Sequence, residues 1–244
     1  MKQWIIGRNP VYEVLRANRR HTFSLQLAEG IEEKGIVIDI IQLAKKNGLR
    51  IEKTDRRVLS RLGEKNQGVC IEVSDYPYQN IQDILDNAHT KNENPFVLLL
   101  DVIQDPQNLG TLLRTAEAVG VHGIIMPIKR SADITQAVVS SSSGATEHLI
   151  IAQANLSQSI NTLKDNNIWI YGLEKRSSAV PMSEVNLSGS IALVVGSEGQ
   201  GLRSLTMKSC DQLIYLPMVG SIASLNASVA GSVALYQAFN DRQL

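Results

Sequence analysis

Cysteine is scarce: Cys70 and Cys210 stand far apart in a chain of 244 residues, and no CxxC pair exists. That excludes a disulfide framework or a cysteine-ligated metal site and fits a reducing cytosol. Histidine is no richer. His21, His89, His122 and His148 are scattered, so no metal site is expected. Long apolar runs are also missing. The longest, Phe96–Leu100, has the length of a buried strand, and the short apolar stretch before Arg8 and Pro10 falls short of a signal-peptide core. Neither a membrane span nor a targeting segment is predicted, and the expected location is cytoplasmic. There is no GxxxxGK[ST] phosphate loop, which argues against a P-loop ATPase. No internal repeat or low-complexity tract appears beyond four serines at 140–143, which suit close helix packing.

What is present is ordinary in bulk, with 43% hydrophobic and 20% charged residues. The length suffices for one large domain or two modest ones, each with its own core. The net charge of zero conceals an asymmetry. Residues 1–75 hold 14 Lys/Arg against 10 Asp/Glu, and the remainder reverses those figures. A basic N-terminal part beside an acidic one suggests polyanion capture by the former. The alternative is a pair of solvated helix faces.

Residues 1–75 read as a compact α/β unit. A helix opens at Asn9-Pro10, FSLQLA and LRIEKT are strand-like, and GIVIDIIQLAKKNG is an amphipathic helix closed by Gly48. A short helix, RRVLSRLG, precedes the alternating strand GVCIEVS. Residues 76–95 form a connector bounded by Pro77 and Pro95, with one short helix, IQDILDNA. From 96 to 244 strands and helices alternate. Six largely apolar strands joined by helices predict a mostly parallel sheet covered on both faces. Such sheets bind ligands at the carboxyl ends of their strands, so the loops after Ile103, Val195 and Leu216 are where chemistry is expected.

Three segments meet that expectation. In DVIQDPQNLGTLLRTAEAVG a strand runs through a turn into a helix. Arg114, six residues beyond Asn108, is expected near the helix start, where a phosphate or ribose could meet it. The second segment, VVGSEGQGL, enters a glycine-rich loop holding Glu198. Its GxxGxG spacing is not the GxGxxG of dinucleotide sites, which leaves an oxidoreductase without its fingerprint. The third, LIYLPMVGSIASLNASVAGSVALYQ, ends a strand at Leu216 and passes through Ser224-Leu225-Asn226 into a small-residue helix. Each segment also has a plain structural reading: helix capping for Asn108, Ser224 and Asn226, a surface position for Arg114 and a solvent-facing turn for Glu198.

In order and spacing, these segments resemble the three motifs of the SpoU (TrmH-like) RNA 2′-O-ribose methyltransferases. The opening IIGRNPVYEVLRANR and the stretch near NQGVCIEV resemble the L30e-like RNA-binding domain that precedes the catalytic domain in the ribosomal RNA branch. The similarity is greatest to enzymes that methylate a guanosine of 23S ribosomal RNA. The resemblance implies an α/β fold with a C-terminal trefoil knot, S-adenosylmethionine as cofactor, RNA and not DNA as substrate, and a homodimer. It implies that Asn108, Arg114, Glu198, Ser224 and Asn226 are catalytic. It implies that Leu173, Gly196, Leu216 and Leu225 hold the cofactor, although position 173 often carries a small polar residue in relatives. Two rivals stay open: a transfer-RNA ribose methyltransferase, and a catalytically silent RNA-binding assembly factor on the same scaffold.

Overall fold

The computed structural model describes residues 2–129, 132–222 and 224–243. In chain order, β1 (Lys2–Ile6), α1 (Arg8–Ala17), β2 (Thr22–Ala28), α2 (Ile36–Lys46), β3 (Arg50–Thr54), α3 (Arg56–Leu62) and β4 (Val69–Ser74) come first. Then follow α4 (Ile81–Thr90), β5 (Phe96–Asp101), α5 (Pro106–Ala118), β6 (Gly123–Met126), α6 (Gln136–Ser141) and β7 (Ile151–Gln153). The chain continues with α7 (Leu156–Asp165), β8 (Trp169–Leu173), β9 (Val180–Pro181) and β10 (Ile191–Gly196), and closes with α8 (Ser204–Ser209), β11 (Gln212–Tyr215) and α9 (Ala227–Gln243). These elements form two compact units: residues 1–77 with 133–148, and residues 78–132 with 149–244.

The first unit is built on a four-stranded sheet ordered β1-β4-β2-β3. β4 lies antiparallel to β1 and β2, while β2 and β3 run parallel. Ile71 faces Ile5 on one side and Leu25 on the other, and all three are fully buried. The sequence reading omits β1, because a short run interrupted by Gly7 and Arg8 carries little periodicity. Residues 133–148 complete this unit. α6 packs against β1, and the 3₁₀ turn Ala145–His148 packs against α1. That turn delivers the buried Glu147 to Arg20, which donates to it from Nε at 2.9 Å and Nη2 at 2.8 Å. The Arg20 guanidinium lies 4.9 Å from the ring centroid of Tyr76, whose hydroxyl donates to the Thr146 carbonyl at 2.9 Å.

The second unit is a seven-stranded sheet ordered β7-β6-β5-β10-β8-β11-β9, parallel throughout. The sixth segment read as a strand, LIYLPM, supplies β11, and the two-residue β9 at its edge was not anticipated. β5, β6 and β10 are buried along their whole lengths, as continuous apolar strands in a two-sided sheet must be. α4 and α7 cover one face, with Ile84, Ile160 and Leu163 packed over Val97, Leu99 and Val194. α5 packs against α9, and α9 packs against β10. The two helices approach closely because Gly231 of α9 has no side chain: a Cβ there would lie 2.4 Å from Leu112 Cδ2. No described helix is long and apolar enough to cross a membrane.

His122, just before β6, shows how tightly this unit is sealed. Its Nδ1 accepts from the Phe96 N–H at 2.9 Å, which leaves Nε2 to donate to Glu93 at 3.1 Å. Burial, chiefly, holds its pKa below the ordinary histidine value. The unfolded chain therefore takes up this proton at higher pH than the folded one. His122 should leave stability unchanged above about pH 7 and lower it as the pH falls through about 6.5, until the folded imidazole also protonates. Denaturant unfolding at pH 7.5 and 5.5 checks this, with His122→Gln losing that part of the slope. Equal slopes for the two proteins would refute it.

Candidate active site

At the carboxyl end of β5, Asp101 is fully buried and accepts from Arg203, at 2.8 Å from the backbone nitrogen and 2.5 Å from Nε. Next comes Val102 at φ +67°, a conformation β-branched residues rarely adopt and one that concentrates at functional loops. The turn then enters α5. The cap is Asp105, whose carboxylate accepts from the Gln107 N–H at 3.0 Å, with Pro106 in the first turn. Asn108 is thereby freed from the capping role that its sequence position suggested.

Its amide instead joins the three segments. Asn108 Nδ2 donates to Glu198 Oε2 at 3.1 Å, and Asn226 Nδ2 donates to Asn108 Oδ1 at 3.0 Å. Asn226 does cap α9, since its Oδ1 accepts from the N–H groups of Ser228 at 2.8 Å and Val229 at 3.3 Å. Capping and network membership therefore belong to one side chain. Ser228 Oγ lies 3.1 Å from Asn108 Oδ1 and 2.6 Å from Asn226 Oδ1. Sequence alone does not single out this serine, which stands among the small residues of NASVAGS.

Beside the network lies a pocket of about 390 Å³ at the carboxyl ends of β8, β10 and β11. Leu173, Gly196, Leu216 and Leu225 all line it, together with Glu198 and Ser224. Asn108, Asn226 and Arg114 are not in its wall. Arg114 is exposed in the second half of α5, about 12 Å along the axis from Pro106. Counting from Asn108 places it near the helix start, but the helix already begins at Pro106, and Arg114 lies about two turns further on.

The glycine loop owes its shape to contact. The Ser197 and Gly201 backbones exchange hydrogen bonds of 3.1 and 3.0 Å, folding the loop back on the strand end. A Cβ on Gly196 would lie 2.3 Å from the Gly201 carbonyl carbon. Glu174 supports the far side, accepting from the Leu202 N–H at 2.9 Å. This carboxylate, which the sequence reading also missed, lines the pocket next to Lys175 and Arg176. Its only sequence signal was a charge at the end of an apolar strand. Neither thiol takes part: burial pushes Cys70 and Cys210 up to about 12, so both stay protonated near neutrality. Among the described residues no group of His, Cys, Asp and Glu could hold a metal ion.

The chain is similar to known proteins over nearly its whole length. Residues 4–79 match the model for RNA 2′-O ribose methyltransferase substrate binding. A putative TrmH family tRNA/rRNA methyltransferase of Bacillus subtilis is 39% identical over 241 residues, covering 98% of this chain and 96% of that protein. Its counterpart in Staphylococcus saprophyticus is 37% identical, covering 98% and 95%. Among solved structures, the SpoU methyltransferase AviRb from Streptomyces viridochromogenes, in complex with AdoMet, shares the fold at a TM-score of 0.83 and 20% identity, covering 99% of this chain and 91% of that one. Residues 95–236 match the model of the SpoU rRNA methylase family. The chain belongs to that family and is an RNA methyltransferase.

Proposed function

We propose that this protein transfers a methyl group from S-adenosylmethionine to a ribose 2′-hydroxyl of RNA, on a guanosine of 23S ribosomal RNA, as a homodimer in the cytoplasm. The network joining Asn108, Glu198 and Asn226 at the edge of the pocket carries the proposal. It makes one site of three segments separated in sequence.

The pocket fits the cofactor in size and chemistry. Its volume falls in the roughly 300–1,000 Å³ span of small-molecule sites. Leu173, Val195, Leu216 and Leu225 offer apolar walls to an adenosine, and the glycine loop offers backbone polar groups. Lys175 and Arg176 suit the carboxylate of an amino-acid tail, and Glu174 and Glu198 suit its cationic groups. When bound, the cofactor supplies a methyl already activated on a sulfonium. The protein's remaining work is to align the acceptor hydroxyl and dispose of its proton.

We assign Arg114 to the acceptor side. A guanidinium stays protonated, so it serves poorly as a base and well as a planar donor pair that positions a ribose or phosphate and stabilises developing oxyanion charge. Arg114→Lys keeps the charge but loses the fork, and is expected to lower kcat about 100-fold. Near-full activity in single-turnover assays would sink the assignment.

In this reading residues 96–244 form the catalytic domain, with the last segment threaded into a trefoil knot, and the basic L30e-like N-terminal domain captures RNA. A dimer would cover the apolar stripe of α9, where Val229, Val233 and Tyr236 are each about half exposed at helical spacing. Labelled S-adenosylmethionine incubated with undermodified ribosomal RNA or with transfer RNA tests the whole. Label on 23S guanosine is expected, label confined to transfer RNA would move the substrate assignment, and no label on any RNA would overturn methyl transfer. Sedimentation equilibrium should read twice the 26.8 kDa chain mass.

A further inference from the structure

The network has a direction. A carboxylate only accepts, so Glu198 requires the NH₂ of Asn108. Asn108 must then present Oδ1 to the NH₂ of Asn226, and Asn226 must present Oδ1 to the N–H groups at the start of α9. Each amide has one orientation compatible with its neighbours. The chain of donors runs from the helix end to the pocket carboxylate, each bond polarising the next.

Ser228 sits at the joint of this chain. It is only 5% exposed, and its Oγ has two amide oxygens within reach and a single hydrogen to give. The hydrogen is shared between the two oxygens as a three-centre bond, so the hydroxyl adds a donor to the oxygen side of each amide. If the Asn108 amide turned over, that bond, the bond from Asn226 and the bond to Glu198 would all be lost, and its NH₂ would face the NH₂ of Asn226.

Resting on the methyl-transfer reading above, we infer that Ser228 is a positioning residue that locks the amide of Asn108 with its NH₂ toward Glu198. Ser228 does not line the pocket. Its effect reaches the reaction through Asn108 and then Glu198, so it concerns turnover and not affinity.

The test combines kinetics with the side-chain amide signals of Asn108. Ser228→Ala is expected to lower kcat about tenfold while both KM values stay within about twofold. Ser228→Thr, which keeps the hydroxyl, should recover most of the rate. In an Asn108→Ala background, the Ser228→Ala change should cost nothing further. In ¹⁵N spectra, the Asn108 NH₂ pair should be sharp and slow to rotate in the parent protein and broadened in Ser228→Ala. An unchanged kcat in Ser228→Ala, a loss of equal size in the Asn108→Ala background, or an unaltered Asn108 amide pair would each overturn the inference. A parent protein that methylates no RNA would overturn methyl transfer instead. The amide signals, which need no cofactor, would then decide the locking role by themselves.

Discussion

Gly196→Ala is expected to abolish cofactor binding. The new Cβ would lie 2.3 Å from the Gly201 carbonyl carbon, 2.4 Å from its oxygen and 2.5 Å from the Leu202 nitrogen. All three are backbone atoms, so no side chain can swing aside. Gly201 cannot retreat easily either: it holds φ +66° and abuts Glu174, whose Oε2 is engaged by the Leu202 N–H. The loop must therefore leave the strand end, breaking the paired bonds between Ser197 and Gly201 and opening the pocket wall. Affinity for S-adenosylmethionine should fall at least about a hundredfold, or roughly 2.7 kcal/mol. Overpacking should also cost about 1–3 kcal/mol of stability. Calorimetric titration reads the first and denaturant unfolding the second. Gly189→Ala, where the added Cβ meets nothing within 4 Å, is the control. If Gly196→Ala bound the cofactor within threefold of the parent, the pocket would not be the cofactor site.

The second large effect lies far from that pocket in sequence. Arg20→Ala strands the Glu147 carboxylate, because the two side chains are 0% and 1% exposed and meet through two hydrogen bonds. Thr146 Oγ1 still donates to Glu147 at 3.1 Å, but a neutral hydroxyl does not replace a cation. The expected loss is about 3–5 kcal/mol, read by denaturant unfolding. Changing both partners together, Arg20→Met with Glu147→Leu, should recover most of it, since the cost comes from one buried unpaired charge. A loss below about 1 kcal/mol in Arg20→Ala would show that Glu147 finds water or moves. The same pair bears on dissection. Residues 133–148 belong to the first unit, so removing 1–75 takes away the surroundings of Glu147, Val138 and Val139. Exposed basic residues of the first unit are better probed by substitution than by truncation.

Much of the second unit is legible because its physics is local. β5, β6 and β10 are apolar at successive positions, which few arrangements besides a two-sided parallel sheet accommodate. Asn108, Glu198 and Asn226 are visible as polar residues in the segments that follow strands, yet nothing in the sequence shows that one amide bridges the other two. That depends on β5 and β10 being neighbours although about 90 residues separate them. Ser228 stays hidden for the same reason. The place of 133–148 is illegible in a stronger sense: its small residues have no period of their own, and their partners lie more than a hundred residues upstream. The position of Arg114 is illegible locally, because Asp105 and Pro106, and not Asn108, set the helix start.

The pairing of Arg20 with Glu147 also sets an order of events during synthesis. The two residues are 127 apart, so at about 5–20 residues per second some 6–25 s pass between their additions to the chain. Once Ser74 has been added, all four strands of the β1-β4-β2-β3 sheet are present, while the Arg20 guanidinium still lacks its carboxylate and β1 lacks the cover of α6. The first unit therefore waits, half-closed, on residues added only after β5, α5 and β6. A stalled nascent chain in which residues 1–77 have emerged from the ribosome but 133–148 have not should hold an N-terminal unit that proteases cut readily, and emergence of residue 148 should close it.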